Sequence, residues 1–248
     1  MTKISEANVN SIFALHDKIE QSVKGCKSLD LAAQKFNDVL FDAFEESIVL
    51  TRLFATVPYG KLPPANKKFV DALAESTGIT SLLREEMLVI SLLGTRGEKR
   101  TWNSRSDSEG HVGIPLASAD FVEAIPMVSR LLNELGLGLD WIDSHDSDII
   151  ARIIGKMAGV FYVPDAKTTT DHKGRQVIAA QNFVDEHKVK TVFGLGGAYL
   201  YLGSKTFLAN IIFTREQIEK RQAERYMTLL NTFKTTTVAL DASGQIFS

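Results

Sequence analysis

The residues best equipped to do chemistry in this chain fall in one polar stretch, Thr101 to Leu116, which reads T-W-N-S-R-S-D-S-E-G-H-V-G-I-P-L. It carries one of the two tryptophans and a histidine, then ends in a short apolar strand around Ile114-Pro115-Leu116. A large aromatic and a titratable group on a glycine-bearing loop are what a rigid scaffold uses to present a binding site. The same residues have a plainer reading, a loop whose Trp102 closes the core. His111 also divides two ways, between a hydrogen-bonded structural residue and an imidazole ligand to haem iron. Haem through His111 is the one cofactor the sequence leaves open, and it names none.

Other constellations carry less. Asp143, His145, Asp146 and Asp148 have metal-ligating types. Adjacent residues at a helix start do not converge on one point, and acidic groups suit a helix N-terminus without a metal. Gly194-Leu195-Gly196-Gly197 superficially resembles a dinucleotide loop, but such a loop must lead straight into a helix N-terminus that holds the pyrophosphate. Here it runs into Ala198-Tyr199-Leu200-Tyr201, which is more strand. Glycines within a strand mark a bulge or a close approach to the backbone, by a ligand or a neighbouring helix. The sequence has no G-x-S-x-G and no H-E-x-x-H, and Cys26 is a lone thiol near Lys24 and Lys27 without a placed base. The chain is therefore read as non-enzymatic.

Composition narrows the class further. At 248 residues with 44% hydrophobic content, the chain can bury a large core. Its net charge of −2, with both signs mixed along the length, offers none of the one-signed basic surface that nucleic-acid affinity needs. One cysteine excludes an intrachain disulfide and a cysteine-based zinc cluster. No stretch reaches the roughly 18 to 20 apolar residues of a membrane span, and no signal-peptide pattern opens the chain, so a cytoplasmic protein without nucleic-acid or membrane partners is expected.

The elements that must position the polar stretch follow from periodicity. Val9, Ile12, Phe13, Ile19 and Val23 recur at helical spacing, and after a break at Gly25 a second helix runs from Leu29 to about Glu46. Ser47 to Val57 is a first strand, rich in β-branched and aromatic residues, ended by Pro58, Gly60, Pro63 and Pro64. A short helix over Ala65–Ser76 precedes a second strand, Met87–Leu93, with Gly94–Gly97 as its turn. Asp120–Leu135 is helical with an interruption at Pro126, and another helix starts near Asp146 to Asp148. Gly159–Ala166 is a strand, Val177–Phe183 a short helix. From Val189 a strand, a tight turn at Gly203-Ser204 and a strand ending at Phe213 feed a long helix, opened by Thr214 with Gln217 at capping-box spacing. Within it Tyr226, Leu230, Phe233, Thr237 and Leu240 form a short heptad seam.

This order of elements resembles a GAF domain. The resemblance is carried by Phe161-Tyr162-Val163-Pro164-Asp165-Ala166, by the Val189 to Phe213 hairpin and by the terminal helix; L-L-G-T-R-G, the Trp102 to Leu116 segment and V-F-G-L-G-G are similar to the GAF-like sensor regions ahead of histidine-kinase and cyclase modules in bacterial signalling proteins. It covers about 40–240. What it implies is an α+β fold of GAF/PAS-like kind: a central antiparallel sheet flanked by helices, with extra N-terminal helices and a small-molecule pocket on one face. It implies Trp102, His111, Phe161, Tyr162, Phe193 and Tyr199 as pocket residues, and Arg105 for an anionic group. Cyclic nucleotides are disfavoured, because Asn66-Lys67 is not followed by the F-x-x-x-D-E spacing and Phe183-Val184-Asp185-Glu186 is too short for it. Covalent bilin is disfavoured because Cys26 precedes the first strand.

The expected organisation is an N-terminal helical segment (1–45) that packs on the domain or forms a dimer face, a GAF-like sensory domain (46–240), and a tail (241–248) resembling the first strand of a following domain. The expected function is a two-component-type sensor that binds a small-molecule ligand, pairs as a homodimer through its terminal helices, and drives a kinase or cyclase output module. The alternative is a ligand-free interaction or dimerisation module of the same fold.

Overall fold

The computed structural model describes residues 3–108, 110–136, 138–144, 158–199, 201, 204 and 206–248. Six strands, β1 (Ile48–Pro58), β2 (Leu88–Gly97), β3 (Gly113–Pro115), β4 (Ala158–Val163), β5 (Thr191–Ala198) and β6 (Phe207–Thr214), form one sheet in the order β3-β2-β1-β6-β5-β4. Every neighbouring pair is antiparallel. The α+β arrangement of a central antiparallel sheet between helices is thus present.

Alternation of side chains along each strand divides the core between the two faces. On one, the helical face, lie α1 (Val9–Val23), α2 (Leu29–Ala43) and, late in the chain, α8 (Met227–Ala242). Their buried residues Leu15, Ile19, Phe36, Leu40, Leu230 and Phe233 pack with Leu53, Phe193 and Ile212 of the sheet. Phe36 and Phe233 meet edge-on, ring centroids 5.2 Å apart. Asn37, fully buried, accepts from Thr51 Oγ1 at 2.8 Å and Asn210 Nδ2 at 3.1 Å, which fixes α2 over β1 and β6. The other, short-helix face is covered by α4 (Ala119–Glu123), α5 (Pro126–Glu134), a 3-10 turn at Asp140–Ser144 and α6 (Gln181–His187), while α3 (Pro64–Thr77) lies beside β3 at the sheet edge with Val70 in the helical-face core. There Val122, Leu131, Leu132, Trp141 and Val184 pack on Leu50, Phe54, Phe161 and Ile211. No helix among the described residues is long and apolar enough to cross a membrane.

Several elements differ from the sequence reading for physical reasons. β2 continues through Gly94–Gly97 instead of turning there. Gly94 is needed because α2 lies against it: a Cβ would stand 2.5 Å from Gln34 N and 2.6 Å from Ala33 C. Pro126 does more than interrupt a helix; it begins α5, leaving α4 as a separate short helix. Thr214 belongs to β6, so the terminal helix does not open at Thr214 and Gln217. The capping box is formed by Glu219 and Gln222 at the start of α7 (Lys220–Glu224), and α8 follows. The seam expected to pair two copies is occupied within the chain, since Tyr226, Leu230, Phe233 and Thr237 are all at most 2% exposed. The helix expected near Asp146 to Asp148, and Gly203 of the expected hairpin turn, lie outside the described residues.

The glycine contacts give a direct test. Gly94→Ala is expected to destabilise the chain by about 1–3 kcal/mol, since the helix backbone must shift. Gly110→Ala, where a Cβ meets nothing within 4 Å, is expected to stay within about 0.5 kcal/mol of the parent in chemical denaturation.

Candidate functional site

β3 pairs with only the first part of β2, Val89 to Ser91, and among the described residues no strand pairs with the C-terminal half of β2 on that side. Exposed strand edges need cover, and residues 98–112 supply it. Leu92 N donates to Val112 O at 2.9 Å, and Gly97 N to the Asn103 side chain at 2.9 Å. The loop therefore wraps the sheet edge and reaches both faces.

On the short-helix face it meets Arg52. This residue stands on β1 between Leu50 and Phe54, both of which pack on that face, and only 7% of it is exposed. Its Nη2 donates to Ser108 Oγ at 2.6 Å and to Gly110 O at 2.7 Å, and its guanidinium carbon lies 5.4 Å from the centre of the Phe54 ring. Nε is buried with no partner. Among the described residues no carboxylate forms an ion pair with it. Burial lowers its pKa to about 10, so it is still a cation at neutral pH. Beside it, His111 takes a left-handed backbone conformation, φ 50°, that non-glycine residues rarely adopt. The His111 side chain keeps solvent contact, while crowding by protein atoms and then the Arg52 charge lower its pKa.

On the helical face the loop reaches the start of α2. Arg105 Nη2 pairs with Asp30 Oδ2 at 3.0 Å, its Nη1 donates to Asn66 Oδ1 at 2.9 Å, and its guanidinium lies 5.0 Å from the Phe247 ring centre. The first amides of a helix have no partner within it. Here the C-terminal segment provides partners: Leu29 N donates to Gln245 O and Asp30 N to Ile246 O, each at 2.9 Å. Ser248 N donates to Asp30 Oδ1 at 3.2 Å, and Ile246 is buried in the helical-face core. Residues 245–248, part of the 241–248 tail expected to resemble the first strand of a following domain, run back to the start of α2 and cap its N-terminus.

The seven residues implied by the resemblance do not share one pocket. Trp102 lies at the loop edge, its ring centre 5.6 Å from Phe183 and 5.0 Å from His187. Phe161 is fully buried on the same short-helix face. Tyr162, Phe193 and Tyr199 point to the helical face, where Tyr162 OH donates to Ile218 O at 2.6 Å and Tyr199 OH bonds Thr237 Oγ1 at 2.7 Å. The division follows from strand alternation, since Phe161 and Tyr162 are consecutive. Arg105, expected to meet an anionic group, already holds Asp30. Among the described residues Arg52 is a buried guanidinium without a carboxylate partner; in the sequence, a charged residue inside an otherwise apolar run, S-I-V-L-T-R-L-F-A-T-V, is the available signal.

The remaining candidates take structural places. All of Gly194 to Gly197 lies in β5, and a Cβ at Gly196 would stand 2.6 Å from Leu135 Cδ2, so the close approach there comes from the end of α5. Burial raises the Cys26 thiol pKa, against the opposing charge of Lys35, which keeps it from being a ready nucleophile. Among the described residues no three of His, Cys, Asp and Glu cluster in a way that could hold a metal ion. Asp143 accepts from Ala119 N at 3.1 Å, while His145, Asp146 and Asp148 lie outside the described residues.

No protein-family model and no curated protein matches the chain. Among solved structures, the GAF domain from Acinetobacter phosphoenolpyruvate-protein phosphotransferase is similar to it with a TM-score of 0.47 and 11% sequence identity, over 97% of this chain and 100% of that one.

The lowered His111 pKa has a signed consequence. The folded state binds this proton less readily than the unfolded chain, so stability falls as pH drops below the ordinary histidine value of 6.5 and levels off below the depressed one. His111→Gln is expected to flatten that part of the stability profile in denaturation series run across mildly acidic pH.

Proposed function

We propose that the chain is a regulatory, GAF-like sensory module that takes a small-molecule ligand on the short-helix face beneath residues 98–112 and transmits its presence to the helical face. One observation carries this reading: a single loop touches Arg52 on one face of the sheet and Asp30 and Phe247 on the other. A ligand that displaced Ser108 or Gly110 would move the same segment that holds Arg105 against α2 and the C-terminal residues. The reading assigns the chain no reaction; its output is the docking of residues 245–248, which leads toward a kinase or cyclase module in the signalling proteins that the chain resembles. Ordered loops that close on a ligand and reposition a terminal element are a recurrent form of such coupling.

The alternative, an interaction module without ligand, has its own support. Val9 and Phe13 on α1 are 70% and 64% exposed, and they, rather than the buried seam of α8, are what a second copy could cover.

A thermal-shift screen of the chain against metabolites, nucleotides and haem separates the two. In the sensory reading at least one compound raises the melting temperature by mass action, Trp102→Ala loses that shift, and Arg105→Gln keeps it while losing ligand-dependent protection of residues 245–248 in hydrogen exchange. A chain that shifts with nothing, shows no Soret band with haem and dimerises through Val9 and Phe13 is the interaction module.

A further inference from the structure

The geometry points to a ligand that is a small anion, bearing a carboxylate or phosphate group, with Arg52 as its primary counterion. The inference rests on the sensory reading and specifies the chemistry of its site.

An arginine carries five N–H donors and cannot shed its charge at neutral pH. Arg52 commits both Nη2 hydrogens to neutral acceptors, Ser108 Oγ and Gly110 O, and neither Nε nor Nη1 donates to any described residue. A buried ion costs several kcal/mol unless it is paired, and two neutral acceptors offset only part of that cost. The other buried or half-buried guanidiniums in the chain are treated differently. Arg105 has Asp30, Arg130 has Glu134 at 3.0 Å, and Arg96 lies near Asp38 and Asp42. Only Arg52, among these, lacks a carboxylate, and it is the one beneath the loop.

The surroundings match an oxyanion. Ser108 adds a hydroxyl that can donate, and the Phe54 ring flanks the guanidinium. No acidic residue among those described shares an ion pair with Arg52 or a Coulombic contact with His111. Charge-assisted hydrogen bonds of guanidinium to carboxylate or phosphate are about twice as strong as neutral ones, so an arriving anion would replace weak partners with strong ones. Because Ser108 and Gly110 belong to the loop, that exchange is also the event which would move it. Glu109, between them in sequence, lies outside the described residues, and a Glu109→Gln variant tests it as a counterion.

The test is a titration of the full chain with inorganic phosphate, with succinate and with the uncharged succinamide, followed by calorimetry and melting temperature. At least one of the two anions is expected to bind saturably and succinamide not to bind. Arg52→Met is expected to weaken that binding by about tenfold or more. Arg52→Lys keeps the charge and guards against a misfolded Arg52→Met; it is expected to retain part of the affinity. Glu109→Gln is expected to leave affinity and melting temperature unchanged. Absence of binding by both anions, or equal affinity in the Arg52 variants, overturns the inference. So does a Glu109→Gln variant that melts lower yet binds anion more tightly, since Glu109 would then be the counterion. If phosphate and succinate do nothing while an uncharged metabolite gives a shift lost in Trp102→Ala, the sensory reading stands and the anion assignment alone fails.

Discussion

A cation inside a sheet face must be solvated by something, and in this chain residues 98–112 do it. Arg52 sits in the middle of β1, with Leu50 and Phe54 on either side along the same face. Its charge holds Ser108 and Gly110 over the sheet, and this contact sets how the loop closes. β3 is only three residues long, so the loop also serves as the missing partner of β2. One segment thus answers two separate demands, an uncovered edge and a buried charge. A substitution that satisfied either demand by other means would leave the loop less constrained.

The edge position gives the loop access to both layers. Through Arg105 it reaches Asp30, where the start of α2 takes its cap from Gln245 and Ile246. Those residues follow α8 directly, and α8 packs with α1 and α2 over the helical face. A change at Arg52 is therefore separated from the C-terminal segment by a short chain of contacts, which runs through the loop to Arg105 and Asp30 and from Asp30 to Ser248. The sheet between them, tied to α2 by the buried Asn37, Thr51 and Asn210 contacts, supplies a rigid frame against which the loop can move. Two-sided loops of this kind allow a small local change to act at a distance without deforming a close-packed core.

Much of this architecture is legible in the sequence, because it rests on short-range signals. The helical periodicity of Val9 to Val23 and the β-branched run Ser47 to Val57 give α1 and β1 almost residue for residue. Extension of β2 through Gly94 and Gly97 was not legible, since their need for glycine comes from α2 and Trp102 in space. The seam of α8 reads equally well as a coiled-coil stripe or a core stripe, and burial of Phe233 against Phe36 decides between them. For the site, the loop was legible as polar, aromatic and glycine-bearing. The pairing of Arg105 with Asp30 was not, because it spans 75 positions of sequence. The same holds for Arg52, whose lack of a counterion is a property of what surrounds it.

A loop that mechanically joins the two faces of the sheet must show itself in hydrogen exchange at the amides of Leu29 and Asp30. These amides are protected by Gln245 O and Ile246 O, on the face opposite Arg52. With α1 amides as an internal reference, Arg52→Met is predicted to accelerate exchange at Leu29 and Asp30 together with the Gly97 amide held by Asn103. If the Gly97 amide accelerates while Leu29 and Asp30 exchange at the parent rate, the two faces are not coupled through this loop.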